Sequence, residues 1–275
     1  MTTGDLVALG AVKNWLGVTT NDDDALLAAL ISQISRGIYN YINRSFVLPT
    51  EVTEAYDGTG RDQLLLRNWP IGAVYSVVVD GKAIPPAPMM AANVHPTHGY
   101  VLEQSDDAPP GVMQQLFLRG PHVFHKGRQN VVVSYRAGYE IVGEAQAIPL
   151  SAPFTIDALA PYGGWAADTG VTYAGGAAMS AVLSAPAQGQ YSVSAGVYTF
   201  AAADAGAAVA LSYGYIPADL EQCALEWVAD RHKYKDRIGM TSKSLGGQET
   251  VAYQNKATPD FVAQSLVNFR RIIAN

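Results

Sequence analysis

Helical spacing of apolar residues is confined to the two ends of this chain, and strand-like patterns fill the middle. Leucine and isoleucine recur at three- and four-residue steps from Leu27 to Ile42, which predicts a long helix over Ala25–Arg44. Between Glu51 and Tyr139 the pattern changes to short apolar runs and turn signals such as Asp80-Gly81, which indicate strands. This order predicts an α+β fold, with helical N- and C-terminal segments packed with a small antiparallel β unit.

The segment from Ile216 to Gly247 predicts a docking helix followed by a polar, glycine-containing loop. Pro217 suits the first helical position because no hydrogen-bond donor is needed there, and the positive helix N-terminus favours nearby carboxylates. The apolar stripe comprises Leu220, Ala224, Trp227, Tyr234 and Ile238. The residues from Met240 to Ala257 hold few apolar anchors, so we interpret them as an arm or loop.

Shorter signals complete the two helical ends. We interpret Asp22, Asp23 and Asp24 as caps of the first long helix, because the glycine and glutamate of a calcium loop are missing after them. Thr258-Pro259-Asp260 is a helix start signal near the C-terminus. The stripe after it comprises Val262, Leu266, Phe269 and Ile273.

Residues 149–215 differ in composition from the rest of the chain. They contain no lysine or arginine and three acidic residues. From Val209 to Tyr215 large apolar residues alternate with small ones, which predicts a strand. We interpret 149–215 as an all-β sandwich domain inserted into a body made of residues 1–148 and 216–275. A tandem repeat is the alternative, since Val131–Tyr135 and Val209–Tyr213 are similar.

The charge balance and cysteine content restrict the setting in which the protein works. With 18 basic and 24 acidic residues the net charge is −6, so we do not expect the chain to grip a nucleic-acid backbone. A single cysteine, Cys223, excludes an intrachain disulfide and fits a reducing compartment. No apolar run approaches the ~20 residues that span a bilayer, and no export signal is recognised. We therefore expect no membrane partner and assembly in the cytoplasm.

Catalytic and metal-binding constellations are not predicted. His95 with His98, and His122 with His125, show a His-x-x-His spacing, but a zinc site needs three or four convergent ligands. No phosphate loop, dinucleotide fingerprint or serine-nucleophile motif is present. We expect no enzyme, no cofactor and no metal site. A metal-dependent hydrolase using the histidine pairs is the weaker alternative.

The aromatic residues of the 149–215 segment allow two interpretations. They are Tyr162, Trp165, Tyr173, Tyr191 and Tyr198. Small sandwiches need aromatic cores, and half-buried tyrosines keep their hydroxyl in water. The same residues could instead form a sugar-binding platform. A carbohydrate- or surface-binding module built around this segment is therefore the alternative function.

A series of segments along the chain resembles one known family in its order. The segments are IYNYINRSF (38–46), YDGTG (56–60), Pro70-Ile71, VVVDG (77–81), VVVSYRAGY (131–139), IPADLEQCA (216–224), Arg237-Ile238-Gly239, Ser242–Gly247, and Leu266 with Phe269-Arg270-Arg271. Together they resemble the head–tail connector, or adaptor, proteins of tailed double-stranded DNA phages and related gene-transfer particles. Residues 149–215 depart from that pattern and are similar to small immunoglobulin-like modules that decorate virions.

The resemblance implies a structural virion protein at the neck between head and tail. Such proteins form a ring, commonly of twelve copies, that contacts the portal protein and a head–tail stopper or tail-terminator protein. Genomic DNA passes through the ring without sequence-specific binding. The candidate residues for contacts between copies or with the portal are Leu30, Ile34, Ile38, Trp227, Tyr234, Ile238, Leu245, Gly246, Gly247, Tyr253, Phe269, Arg270 and Arg271.

Overall fold

The computed structural model describes residues 4–87, 98–103, 114–235, 238, 242–245, 249–252 and 259–271. Within these ranges the α-helices are α1 (Leu9–Leu16), α2 (Asp24–Tyr41), α3 (Ala218–Tyr234) and α4 (Asp260–Leu266). In chain order, helices lie at both ends and several small, mainly antiparallel sheets lie between them, so the predicted α+β class is confirmed. Two compact units arise from this order, Met1–Ser45 with Pro217–Ala274, and Phe46–Ile216.

The first half of the strand region forms two antiparallel sheets around one core, which we call the first β unit. Its strands are β1 (Thr50–Gly58), β2 (Gln63–Leu65), β3 (Ile71–Val79), β4 (Lys82–Ile84), β5 (Gly99–Leu102), β6 (Gln115–Arg119) and β7 (Gly127–Ala137). The sheet orders are β1-β7-β3-β4 and β2-β6-β5. Phe124, Val133 and Tyr135 are fully buried at their centre. Asp80 and Gly81 both have positive φ between β3 and β4, as the predicted two-residue hairpin turn requires.

The second half forms another two sheets around a separate core, the second β unit. Its strands are β8 (Glu140–Ala147), β9 (Thr155–Asp157), β10 (Gly163–Tyr173), β11 (Ser180–Ala181), β12 (Gln190–Ser194), β13 (Val197–Phe200) and β14 (Ala208–Pro217). The orders are β10-β14-β8 and β11-β12-β13-β9. The alternating strand predicted at 209–215 is confirmed. Strands β11 and β12 run parallel, whereas β12 with β13, β13 with β9, and β14 with β8 are antiparallel.

We call the unit formed by Met1–Ser45 and Pro217–Ala274 the helical unit. In it, α3 packs against each of the other three helices. Its apolar interior comprises Leu6, Val12, Leu27, Ile31, Ile34, Ile38, Ile42, Leu220, Ala224, Trp227, Val228, Val262 and Leu266. These residues follow the helical periodicity of the sequence, since one face of each helix must be removed from water.

Both long helices end earlier than the sequence pattern predicts. The apolar pattern extended the first to Arg44, but α2 ends at Tyr41 because Asn43 adopts a φ of 55° and the Arg44 amide donates to the Tyr39 carbonyl at 3.1 Å. That bond closes the last turn and directs the chain away from the helix axis. The pattern extended the second to Ile238, but α3 ends at Tyr234. Ile238 lies beyond it in a turn, with 69% of its surface exposed.

The predicted arm contains a short hairpin. Strands β15 (Ser242–Leu245) and β16 (Glu249–Ala252) pair antiparallel, with Ser242 opposite Ala252. An isolated two-stranded ribbon is marginally stable in water.

Candidate assembly surfaces

The contact between α2 and α3 depends on a glycine facing a tryptophan. A β-carbon added at Gly37 would lie 3.4 Å from Cη2 of Trp227. Trp227 is 7% exposed, and Ile34 and Ile38 on α2 are also buried. The indole thus lies against the α2 backbone, and these three side chains contribute to the interior of the helical unit.

The start of α2 is held by ion pairs. Asp23 occupies the N-cap position but makes no side-chain capping bond, so the predicted capping role is wrong for this residue. Its carboxylate instead contacts His232 Nε2 and Lys235 Nζ, each at 3.1 Å. These contacts, with His232 contributing most, hold the pKa of Asp23 below its usual value. On the other side, Lys13 of α1 pairs with Asp24 at 2.7 Å.

The C-terminal segment docks on the end of α2. The Tyr41 hydroxyl donates to the Ala263 carbonyl at 3.3 Å, and the Arg271 amide donates to the Ile42 carbonyl at 2.8 Å. Val262 and Leu266 are fully buried beside these bonds, as the predicted stripe requires. The last turn of α4 is therefore part of the helical unit.

Next to this end of α2 lies an open polar groove of about 460 Å³. Its lining includes Asp5, Ser32, Arg36, Tyr39, Asn40 and Arg44. Burial raises the pKa of Tyr39 to about 12, so its hydroxyl is a hydrogen-bond donor at neutral pH. The groove carries both signs of charge.

The predicted interface residues differ in how far they are buried. Ile34, Ile38 and Trp227 are buried in the helical unit; Leu30, Tyr234, Phe269 and Arg271 are half-buried; Ile238 and Arg270 are exposed. Leu245 lies in β15, while Gly246, Gly247 and Tyr253 lie outside the described residues. Periodicity did not single out three exposed apolar side chains of this unit, Trp15 at 55%, Leu26 at 40% and Val267 at 58%. An isolated exposed residue leaves no periodic signal.

A buried carboxylate network stabilises the first β unit. The Glu54 carboxylate accepts hydrogen bonds from the hydroxyls of Tyr56 and Tyr135, both at 2.5 Å, and from Asn68 Nδ2 at 3.2 Å. Burial, reinforced by Glu54, raises the pKa of Tyr135 to about 12 and also raises that of Tyr56. The network therefore links strands β1 and β7 with the segment between β2 and β3.

The aromatic residues of the second β unit are mainly core. Tyr191 is 2% exposed and Tyr198 is fully buried, and both hydroxyls donate to Asp168. Tyr173 donates in the same way to the buried Asp204 at 2.7 Å. Tyr162 alone among the five predicted candidates exposes a large share of its ring, 43%. Two of the five are therefore removed from any sugar-binding platform.

The histidine pairs do not converge on a metal site in the part of the chain that is described. His98 and His122 meet edge to face with ring centroids 6.1 Å apart, while His95 lies outside the described residues. No described group of three or more His, Cys, Asp or Glu side chains is arranged to hold a metal ion. None of the described helices is long and apolar enough to cross a membrane.

Comparison with known proteins decides the family. The profile of the head completion protein family matches residues 5–157, more than half of the chain. The chain belongs to the head completion protein family. The match spans α1, α2, the whole first β unit, and strands β8 and β9 of the second. Among curated proteins, none matches the chain significantly.

Membership places the chain in the phage virion as a structural neck component at the head–tail junction. Head completion proteins join the phage head to the tail and are not enzymes. The resemblance to neck proteins is thus confirmed, and the family is that of head completion proteins. Residues 158–275, including α3 and the hairpin, lie beyond the matched region.

Proposed function

We propose that this head completion protein forms a ring at the portal vertex and acts there as the adaptor between the portal and the tail. Twelve copies would surround the channel through which DNA passes, with a stopper or tail-terminator protein on the tail side. The observation that carries this proposal is the family match over the helices and the first β unit. Symmetric assemblies of one chain are the usual way to build such a closed ring.

The exposed part of the helical unit supports contacts between copies. Trp15, Leu26, Ile238 and Val267 each expose between 40% and 69% of their surface. Aromatic and large apolar side chains are enriched in protein interfaces. We place the intersubunit contacts at these residues and at the half-buried Leu30 and Tyr234, rather than at the buried Ile34, Ile38 and Trp227.

We propose portal contact for the hairpin and the C-terminal end. The β15–β16 ribbon has few backbone partners of its own, so a partner strand could complete it. Arg270 is exposed just after α4 and can reach a carboxylate on a neighbouring protein. Ordering such an arm on assembly costs chain entropy, which the new contacts must offset.

We also propose that residues 149–215 form an inserted, immunoglobulin-like domain that decorates the outside of the neck. The pairing of Glu140 with Gly214 across β8 and β14 supports insertion. These facing residues lie at the start of β8 and near the end of β14, so the proposed insert would extend on its N-terminal side to include β8. Facing Cα atoms of antiparallel strands are only about 5 Å apart. Insertions are tolerated where the two chain ends lie close together.

Mixing the purified protein with purified portal rings tests the adaptor proposal. Electron microscopy should show a second ring stacked coaxially on the portal, with one copy of this chain per portal subunit. As a control, portal rings would be mixed with a variant carrying Trp15→Asp and Ile238→Asp, which should remain folded but lose ring formation. No association at micromolar protein would refute the proposal.

Deleting residues 141–213 and joining Glu140 to Gly214 through a Gly-Ser linker tests the insertion. Because the four helices lie outside the deleted segment, the helical circular dichroism signal per molecule should be retained. Loss of that signal would show that the second β unit is integral to the body, and the domain proposal would be wrong.

A further inference from the structure

Five of the seven lysines and arginines between residues 46 and 216 lie at one end of the first β unit. The strand register brings the turns of this end together, because Gly58 of β1 pairs with Gly127 and Val79 of β3 pairs with Val131. Phe124 bridges to the segment after β1. We call this end the basic tip, and its cations are Arg61, Lys82, Arg119, Lys126 and Arg128.

The basic tip lies at the end of the first β unit opposite the end at which the chain enters and leaves the unit. β1 begins at Thr50 opposite Ala137, at the far end of the same sheet. The chain enters the unit just before Thr50 and leaves it just after Ala137. Both connections to the rest of the chain are therefore at the end of the sheet opposite the tip.

The cations of the basic tip are accessible, whereas two of its acids have structural partners. Four of the five cations are exposed, and Arg119 is half-buried. Asp57 accepts the Gln129 amide at 2.7 Å, and Asp80 accepts Asn130 Nδ2 at 2.9 Å. These two carboxylates hold the turns in place, and Asp62 is the third acid of the tip.

Charge is therefore divided unevenly over the molecule. Five cations against three carboxylates give the basic tip a formal charge of +2, whereas the remaining thirteen basic and twenty-one acidic residues carry −8. Three histidines, His98, His122 and His125, surround the same end.

We propose that the basic tip binds the phosphate backbone of double-stranded DNA without sequence preference. Flexible lysines and arginines on separate turns suit phosphates, which supply most protein–DNA hydrogen bonds. A protein partner would need an apolar centre, and the described part of the tip exposes no large apolar side chain. The sequence alone predicts no binding to nucleic acid because the net charge of the whole chain is negative. That net charge combines the positive tip with the acidic remainder of the chain.

Binding of a labelled 20-base-pair duplex to the full chain, followed by fluorescence anisotropy from about 50 mM to about 200 mM salt, tests the proposal. Each phosphate contact contributes about −0.9 to the slope of log affinity against log salt. Lys126→Ala with Arg128→Ala should reduce the steepness by about 1.8 and weaken binding at least about tenfold at low salt. Two duplexes of unrelated sequence should bind equally.

The matched control removes two exposed cations elsewhere, Lys233→Ala with Arg270→Ala, and should leave the salt slope unchanged. An equal loss of DNA affinity in the control variant would show that net charge alone determines binding. That result would overturn the assignment of DNA binding to the basic tip. Poly-glutamate binding as tightly as DNA would overturn the choice of nucleic acid. The proposal extends the proposed DNA passage, but it is measured on the free chain, so failure of ring assembly leaves this result interpretable.

Discussion

Replacing Gly37 by leucine should weaken the helical unit because Trp227 leaves room for one carbon and no more. A β-carbon at this position would meet Cη2 of Trp227 at 3.4 Å and Cζ3 at 3.8 Å, which is ordinary contact. The further three carbons of leucine must displace the indole, and overpacking of this kind costs about 1–3 kcal/mol. Gly37→Ala should instead be neutral or stabilising by up to ~1 kcal/mol, from helix propensity.

Gly10 in α1 provides the matched control, because no atom lies within 4 Å of a β-carbon added there. Gly10→Leu gains helix propensity without overpacking, so the two leucine variants should differ by about 1–3 kcal/mol. Urea unfolding followed by circular dichroism at 222 nm reports on the helical unit and gives both free energies. Equal free energies of unfolding for the two leucine variants would refute the packing of Trp227 against α2. The same conclusion would follow if Gly37→Leu cost as much stability in a Trp227→Ala background as in the unchanged chain.

Three further predictions concern the polar contacts. Asp23→Asn should make the free energy of unfolding fall less steeply as the pH is lowered. Because the pKa of Asp23 is lowered in the folded protein, its stabilising contribution is present above the unfolded pKa and is lost as the pH falls through the folded pKa. An unchanged fall in stability at acid pH would contradict the ion pairs. Tyr135→Phe should remove about 2 kcal/mol of alkaline destabilisation between pH 10 and 12, since the raised folded pKa of about 12 keeps the hydroxyl protonated after the unfolded chain ionises; urea titrations at pH 10 and 12 measure it, and an unaltered pH slope would be contrary evidence. Asp204→Asn should cost about 1.5–3 kcal/mol in thermal or urea unfolding, because it removes a charged acceptor of two hydrogen bonds, whereas the exposed Asp157→Asn should have little effect; equal losses would count against the buried network.

Periodicity predicted the long helices and the core strand at 209–215 because each buries one face, and that signal is local. Strands β8 and β10 were not predicted, since the residues of Gly163–Tyr173 are mostly half-buried and carry no alternation. Their pairing with β14 depends on residues more than about 30 positions away in the sequence. Such strands are specified by their partners rather than by their own sequence.

The functional surfaces were harder to predict than the fold, for the same physical reason. A helical stripe shows that a face is buried, but it does not distinguish burial within one chain from burial between copies, and Trp227 is of the first kind in this structure. The basic tip was hidden because Arg61, Lys82 and Arg128 are far apart in sequence and meet only through the order β1-β7-β3.

Electron cryomicroscopy of intact phage particles that contain this chain tests the central claim most directly. The account predicts density for the helical unit and both β units between the portal and the first tail component, repeated around the axis. A gene deletion should then yield filled heads without attached tails. Particles that show this chain elsewhere, or that join heads to tails normally without it, would contradict a head-completion role.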